Sequence, residues 1–409
     1  MAGITKGKSP FYPGQPVPVD LFVGRKPQIE RIITRGAGQV EQGKPVAMYI
    51  QGEYGIGKSS IAGYVQRMAE VEHNLHSIYA PLSNCNNLND VAEAVLKATI
   101  RSGAYDPTRS EKIGNWLGKY ISGQSLFGHS IDLAALRQDS PTLSSAHEML
   151  DFLSETRKRL KDTGVKGVFL VLDEINGISS EPQFGQFIKS LIDTNALSAS
   201  PLPLLLILCG VEERRREMIQ KHQPVDRIFD VVEITPMTKD ETEEFFNKAF
   251  ESVQMRVDLG ALELLTLYSA GFPKIMHLLG DAAYWLNNDD IIDKDDAASS
   301  ILVAADEVGK KYVDQQVYSA LRSKDYRSIL KKIGKTSPYE MSFGKSNVAS
   351  TLSATEKVKF DNFLQKMKRL KVIRSGEIKG EYIFNMRMVR LYIWLQSLEK
   401  DKNNSGRNR

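Results

Sequence analysis

The stretch Gly52-Glu53-Tyr54-Gly55-Ile56-Gly57-Lys58-Ser59 restricts this chain more than any other part of it. It satisfies G-x-x-x-x-G-K-[ST] at every fixed position. An apolar run over residues 46–50 precedes it and reads as a strand, and Ile61, Val65 and Met68 follow at helical spacing. A strand that enters a helix through such a turn belongs to a parallel α/β sheet. The glycines let backbone N–H groups curl around a β-phosphate, and Lys58 reaches the β- and γ-phosphates. Ser59, with Ser60 beside it at the first turn of the helix, is placed to bind Mg²⁺ through its hydroxyl. The expected ligand is ATP with Mg²⁺, and residues 52–60 are the expected phosphate cradle.

A phosphate loop needs a carboxylate on the metal side. Residues 168–172, Val-Phe-Leu-Val-Leu, read as a fully buried parallel strand that ends in Asp173 and Glu174. Asp173 is placed to hold Mg²⁺ through its water shell, and Glu174 to polarise the attacking water. A third apolar run, residues 202–210, is too short to cross a bilayer and belongs to the same sheet.

These motifs together resemble the AAA+ ATPases, in the branch of origin-recognition initiators, transposition regulators and archaeal-type ATPases. The resemblance covers most of the chain. It implies a P-loop core with the Asp-Glu order of the additional-strand class, a helical lid, and further site residues. Val23, Gly24 and Arg25 resemble the segment that closes over adenine. Arg227, in Asp226-Arg227-Ile228-Phe229-Asp230, corresponds to an arginine finger that completes a neighbour's site. Gly271-Phe272-Pro273-Lys274 resembles the sensor 2 motif, with Lys274 where most relatives carry arginine, so the planar fork is missing. Where relatives place a polar sensor 1, this chain has Cys209-Gly210. The thiol, a backbone group, or no group at all fills that role.

The remaining sequence fits a soluble multi-domain protein of 409 residues with 42% hydrophobic and 25% charged content. Cys85 and Cys209 are too few for a disulfide framework, and the first residues lack an apolar leader core, so the expected location is the cytoplasm with no membrane contact. Residues 114–140 alternate glycine, serine and isolated apolar residues and read as a mobile insertion. The lone His129 there has no ligand cluster around it and reads as an ordinary loop residue. The expected division is an extended arm over 1–20, the ATPase core over 21–237, the lid over 238–306, a winged helix over 307–398 and a disordered tail over 399–409.

Charge marks the last of these folded parts. Residues 311–409 carry 22 Lys or Arg against 9 Asp or Glu, a net of +13; the whole chain is +4, so residues 1–310 carry −9. Helical patterns over 317–333 and 355–370, then two short strands around a turn at 376–380, resemble a winged helix-turn-helix. Lys357, Lys359, Lys366, Lys368, Arg369 and Lys371 lie on or just after its second helix, and Arg374 and Lys379 on its wing. Such a surface neutralises phosphates and releases counterions. Tyr392 and Trp394 recur with Met388, Val389, Ile393 and Leu395 at helical spacing and read as a closing helix.

The reading is an ATPase switch that forms homo-oligomers and grips double-stranded DNA through residues 355–382. A competing reading makes it a signalling or scaffold ATPase, for example in a bacterial defence system, whose winged helix docks a partner protein. The departures at Cys209-Gly210 and Lys274 favour the second, since they suit slow turnover. A metabolic kinase fits poorly, because nothing after the carboxylate pair resembles a small-molecule acceptor pocket.

Overall fold

The apolar runs become the centre of a parallel sheet in a computed structural model of the chain. Its five strands are β1 (Val46–Gly52), β2 (Leu75–Pro81), β3 (Gly167–Asp173), β4 (Leu204–Gly210) and β5 (Asp230–Ile234). They lie in the order β2-β3-β4-β1-β5, and every pairing is parallel. β3 and β4 are buried at every position, as central strands covered on both faces must be. β4 separates the loop-bearing β1 from the acid-bearing β3, which is the additional-strand arrangement expected from the Asp-Glu order.

The structure describes residues 6–15, 22–102, 107–120, 145–336 and 340–405. By contacts the chain divides into two units, residues 16–235 and residues 1–15 with 236–409. In the first unit the sheet is flanked by α1 (Lys26–Ile32), α2 (Lys58–His73), α3 (Leu88–Ile100), α4 (Pro107–Tyr120), α5 (Ala146–Arg159), α6 (Pro182–Leu197) and α7 (Glu212–Lys221). Local chemistry sets the helix starts. Asn87 accepts the Asp90 amide to begin α3, and Ser145 with Glu148 forms a capping box at α5.

The mobile insertion expected from residue 114 onward needs correcting over its first part. Residues 114–120 lie within α4, which buries Ile113 and Leu117 and stacks Trp116 on Phe152 with ring centroids 5.6 Å apart. Gly114 and Gly118 masked this helix in the sequence, because glycine dilutes an amphipathic pattern. Residues 121–144, His129 among them, lie outside the described residues.

The second unit opens with four helices: α8 (Lys239–Glu251), α9 (Leu259–Ser269), α10 (Pro273–Leu286) and α11 (Lys294–Val308). Two two-residue strands, β6 (Arg256–Val257) and β7 (Ile291–Ile292), pair in parallel between them. The N-terminal residues pack on this bundle. Phe11 is buried against Phe250 with ring centroids 4.9 Å apart, and a side chain at Gly280 would collide with the Phe11 ring at 2.1 Å. His277 accepts the Tyr12 amide at Nδ1, and burial pushes its imidazole down to about 4.

A π-helical segment, Gly309–Tyr318, leads to α12 (Lys324–Gly334), β8 (Ser342–Gly344), α13 (Lys345–Thr351), α14 (Ala354–Arg369), β9 (Ile373–Ser375), β10 (Glu381–Phe384) and α15 (Arg387–Ser405). The strands form an antiparallel sheet in the order β8-β10-β9. The single helix expected over 317–333 is broken instead. Ser323 takes an extended backbone ahead of α12, and Arg327 Nε donates to the Leu321 carbonyl at 2.9 Å across the break. At three and seven residues, β8 and α13 are too short for periodicity to reveal.

The closing helix differs from expectation at its end. α15 runs through Ser405, into the stretch whose composition suggested disorder, while residues 406–409 lie outside the described residues. Tyr392 is buried and donates to Asp314 Oδ2 at 2.9 Å. Arg390, fully buried, donates to the Gly334 and Thr336 carbonyls. Both cysteines are free and buried. Among the described residues no helix is long and apolar enough to cross a membrane.

Candidate nucleotide site

Residues 52–59 turn from β1 into α2 through two left-handed glycines, Gly55 with φ 78° and Gly57 with φ 97°. Side chains there would be strained, which accounts for glycine at both positions. Lys58 Nζ donates to the Gly52 carbonyl at 3.0 Å and to the Glu53 carbonyl at 2.9 Å, so the ammonium lies within the turn. Burial pushes the Lys58 ammonium down, and the carboxylates of Asp173, Glu174 and Glu53 act against that shift. Tyr54 is exposed at the apex of the turn, and Ile56 anchors it in the core.

Asp173 ends β3 with 4% of its surface exposed. Its carboxylate receives the Tyr79 hydroxyl, the Cys209 thiol and the Glu174 amide, the last at 2.8 Å. The Tyr79 hydroxyl also lies near Ser59, the other expected metal residue. Burial, then the charge of Asp173, raises the Tyr79 phenol far above its ordinary range and keeps it a hydrogen donor. Glu174 itself has φ 55°, a left-handed conformation rare for glutamate. It is held by its own amide on Asp173 Oδ1 and by the Ile175 amide on the Cys209 carbonyl at 3.3 Å.

The end of β4 explains the unusual Cys209-Gly210. Cys209 is completely buried, and burial with the nearby Asp173 charge raises its thiol well above the ordinary range, so it stays protonated toward Asp173. A side chain at Gly210 would meet the Tyr49 hydroxyl at 2.4 Å. A polar side chain at 210 would therefore have to displace the Tyr49 ring.

The segment 23–25 lies behind the loop. Gly24 and Arg25 are both left-handed, with φ 73° and 63°, and Arg25 is 4% exposed. Its guanidinium donates to the Ile56 carbonyl at 3.1 Å and to the Thr235 carbonyl, tying the phosphate turn to the end of β5. Val23 is buried beside it.

Residues 21–207 match a family model described as the AAA ATPase domain. The match takes in β1, the phosphate turn and β3 with Asp173. Similarity of fold extends further. A Walker-type ATPase of Pyrococcus abyssi aligns with a TM-score of 0.58 and 14% identity over 91% of this chain and 96% of its own. The ORC2 protein of Aeropyrum pernix, solved as ADPNP-ADP complexes, aligns with a TM-score of 0.62 and 11% identity over 96% of this chain and 97% of its own. No curated protein matches the sequence.

Two further expected residues are not among the groups just described. Arg227 is exposed on the segment Gln223–Ile228 that leads into β5. Lys274 is exposed on the first turn of α10, in the second unit. The glycine of its motif is required by packing, since Gly271 has φ 71° and a side chain there would strike the Met237 carbonyl oxygen at 2.2 Å.

Tyr79 escaped the sequence reading altogether. The signal was the apolar stretch ending in Pro81, whose last residues pair with β3 so that Pro81 lies opposite Asp173. A partner of metal-binding residues contributes about 10–100-fold to metal affinity or activity. Tyr79→Phe is therefore expected to lower ATPase kcat/KM at least tenfold and to raise the Mg²⁺ concentration for half-maximal rate. A Mg²⁺ titration of ATP turnover checks it, and an unchanged midpoint would remove Tyr79 from the site.

Proposed function

We propose that this chain is an AAA+ ATPase that couples its nucleotide state to assembly with further copies of itself and to a grip on duplex DNA through a C-terminal winged helix. In this reading Lys58 neutralises the β- and γ-phosphates, and residues 52–60 present their amides to them. Ser59 and Asp173 would hold Mg²⁺. The donor set suits a hard cation, being a hydroxyl and a buried carboxylate brought within reach of one Tyr79 hydroxyl. When bound, the ion neutralises charge on the phosphates. Glu174 orients and deprotonates the attacking water. Arg227, exposed and lacking an ion pair with the described residues, stabilises charge in a neighbouring copy's site, and Lys274 senses nucleotide from the lid. The cytoplasm is the compartment this function needs.

The observation that carries the DNA half is the order helix, strand, helix, helix, strand, strand from α12 to β10, joined to a net charge of +13 over residues 311–409. That order is the one a winged helix requires, with α14 as its third helix and β9–β10 as its wing. Lys379 at the tip and Arg374 on β9 are exposed, and Lys368 reaches both Ser375 and the face of the Tyr382 ring. The docking reading draws on one specific feature, Ile378, which is 73% exposed between the strands of the same wing.

Fluorescence anisotropy of a labelled random-sequence duplex separates the two readings, with and without ATP and Mg²⁺ at two salt concentrations. The expected result is binding that strengthens with ATP, weakens steeply with salt and loses its ATP response in Lys58→Ala. No binding under any condition would shift the proposal to a docked protein partner.

A further inference from the structure

The exposed side of α14 is organised more finely than a basic helix needs to be. Phe360, Phe363, Leu364 and Met367 are its buried residues, together with Glu356. At about 100° per residue these lie on one face, and Val358, Asn362, Gln365 and Arg369 fall within about 60° of one another on the opposite side. All four are exposed, Val358 by 83%. Among the described residues, the side chains of Asn362, Gln365 and Arg369 engage in no hydrogen bond or ion pair. Four lysines flank this stripe at about a quarter turn, Lys357 and Lys368 on one side, Lys359 and Lys366 on the other.

The flanking lysines differ from the stripe in how they are held. Lys359 pairs with Asp325, Lys366 Nζ donates to the Ala320 carbonyl at 2.5 Å, and Lys368 donates to Ser375 at 3.2 Å. Lys359 and Lys366 on one side and Lys368 on the other are positioned cations. The one acid near the stripe, Asp361, is neutralised by Lys345. Positioned cations on both sides of a helix suit the two phosphate rails of a groove, which leaves the central stripe pointing at base edges.

Resting on the winged-helix reading above, we infer that α14 reads sequence: Val358, Asn362, Gln365 and Arg369 contact base edges in the major groove. The chemistry of each names its target. Asn and Gln amides pair bidentately with adenine N6 and N7, a guanidinium pairs with guanine O6 and N7, and an aliphatic group packs on the thymine methyl. The stripe is about 16 Å long, which matches a core of about five base pairs. The site recognised is therefore a short duplex element with thymine at the Val358 end, adenines in its middle and guanine at the Arg369 end.

The test is selection of bound duplexes from a randomised pool by the 409-residue chain with ATP and Mg²⁺, followed by titration of the enriched duplex against a scrambled one. Wild type is expected to enrich an adenine-containing core and to prefer it at least tenfold. In Asn362→Ala/Gln365→Ala, whose positions are solvent-exposed, the preference is expected to fall at least fivefold, since one bidentate pair gives roughly 5–150-fold discrimination, and what remains is the share of Arg369 and Val358. Lys357→Ala is expected to weaken binding to both duplexes alike and to reduce the salt slope by about one. Binding without enrichment, or an unaltered preference in the double variant, overturns the inference while the DNA-binding reading survives. No duplex binding at all overturns both.

Discussion

Glu174→Gln is expected to lower ATP turnover by about 10²–10⁴-fold while leaving nucleotide binding within about twofold of wild type. The substitution keeps the side chain's size and removes only its ability to accept a proton. In the proposed site binding rests on other groups, the amides of residues 52–60 and Lys58. The backbone supports placing the base at 174. A left-handed glutamate costs roughly 1–2 kcal/mol, and here it is held by the Asp173 carboxylate and the Cys209 carbonyl. Glu174→Gly serves as the control, because it relieves that conformation and removes the carboxylate. If hydrolysis needs the carboxylate, the glycine variant is more stable than the glutamine variant yet equally inactive. Steady-state phosphate release and titration with a fluorescent ATP analogue read the two quantities, and undiminished turnover in Glu174→Gln would remove Glu174 from the chemistry.

Much of this was legible because the chemistry of phosphate binding dictates local sequence. Gly55, Gly57, Lys58 and Ser59 each satisfy a geometric or charge requirement within one turn, so a short stretch marked the strand and the helix that the structure forms and pointed to a phosphate ligand. Asp173 was legible for a related reason, since a charged pair after a wholly buried strand has few structural uses. Tyr79 was not. Its role exists only because β2 pairs with β3 in the register that sets Pro81 opposite Asp173, and no spacing in the sequence encodes that. Gly210 is similar, being explained by Tyr49 from a neighbouring strand. In the C-terminal part, charge and the two longer elements were readable, whereas β8 and α13 were too short. The Asn362 and Gln365 stripe became visible only once burial fixed which side of α14 faces outward.

Arg25→Ala is expected to weaken ATP binding by roughly tenfold or more and to destabilise the first unit by about 3 kcal/mol. Hydrogen bonds from a charged donor contribute about 1.5–3 kcal/mol each, and those of the guanidinium include one to the Ile56 carbonyl and one to the Thr235 carbonyl. Ile56 lies inside the phosphate turn, so loss of its partner loosens the amides that meet the phosphates. Resemblance places residues 23–25 over adenine, and the geometry permits a sharper distinction. If Arg25 acts by positioning the turn, its loss weakens ATP and inorganic tripolyphosphate by the same factor. If it acts on the base, tripolyphosphate binding is spared. Arg25→Gly adds a second comparison. Glycine accepts φ 63° without strain, so this variant is expected to be about 1 kcal/mol more stable than Arg25→Ala while showing the same loss of phosphate affinity. Calorimetric titration with both ligands decides the matter. Equal losses assign Arg25 to the phosphate turn, and unchanged affinity for both would mean that the Ile56 carbonyl needs no partner for the turn to hold its shape.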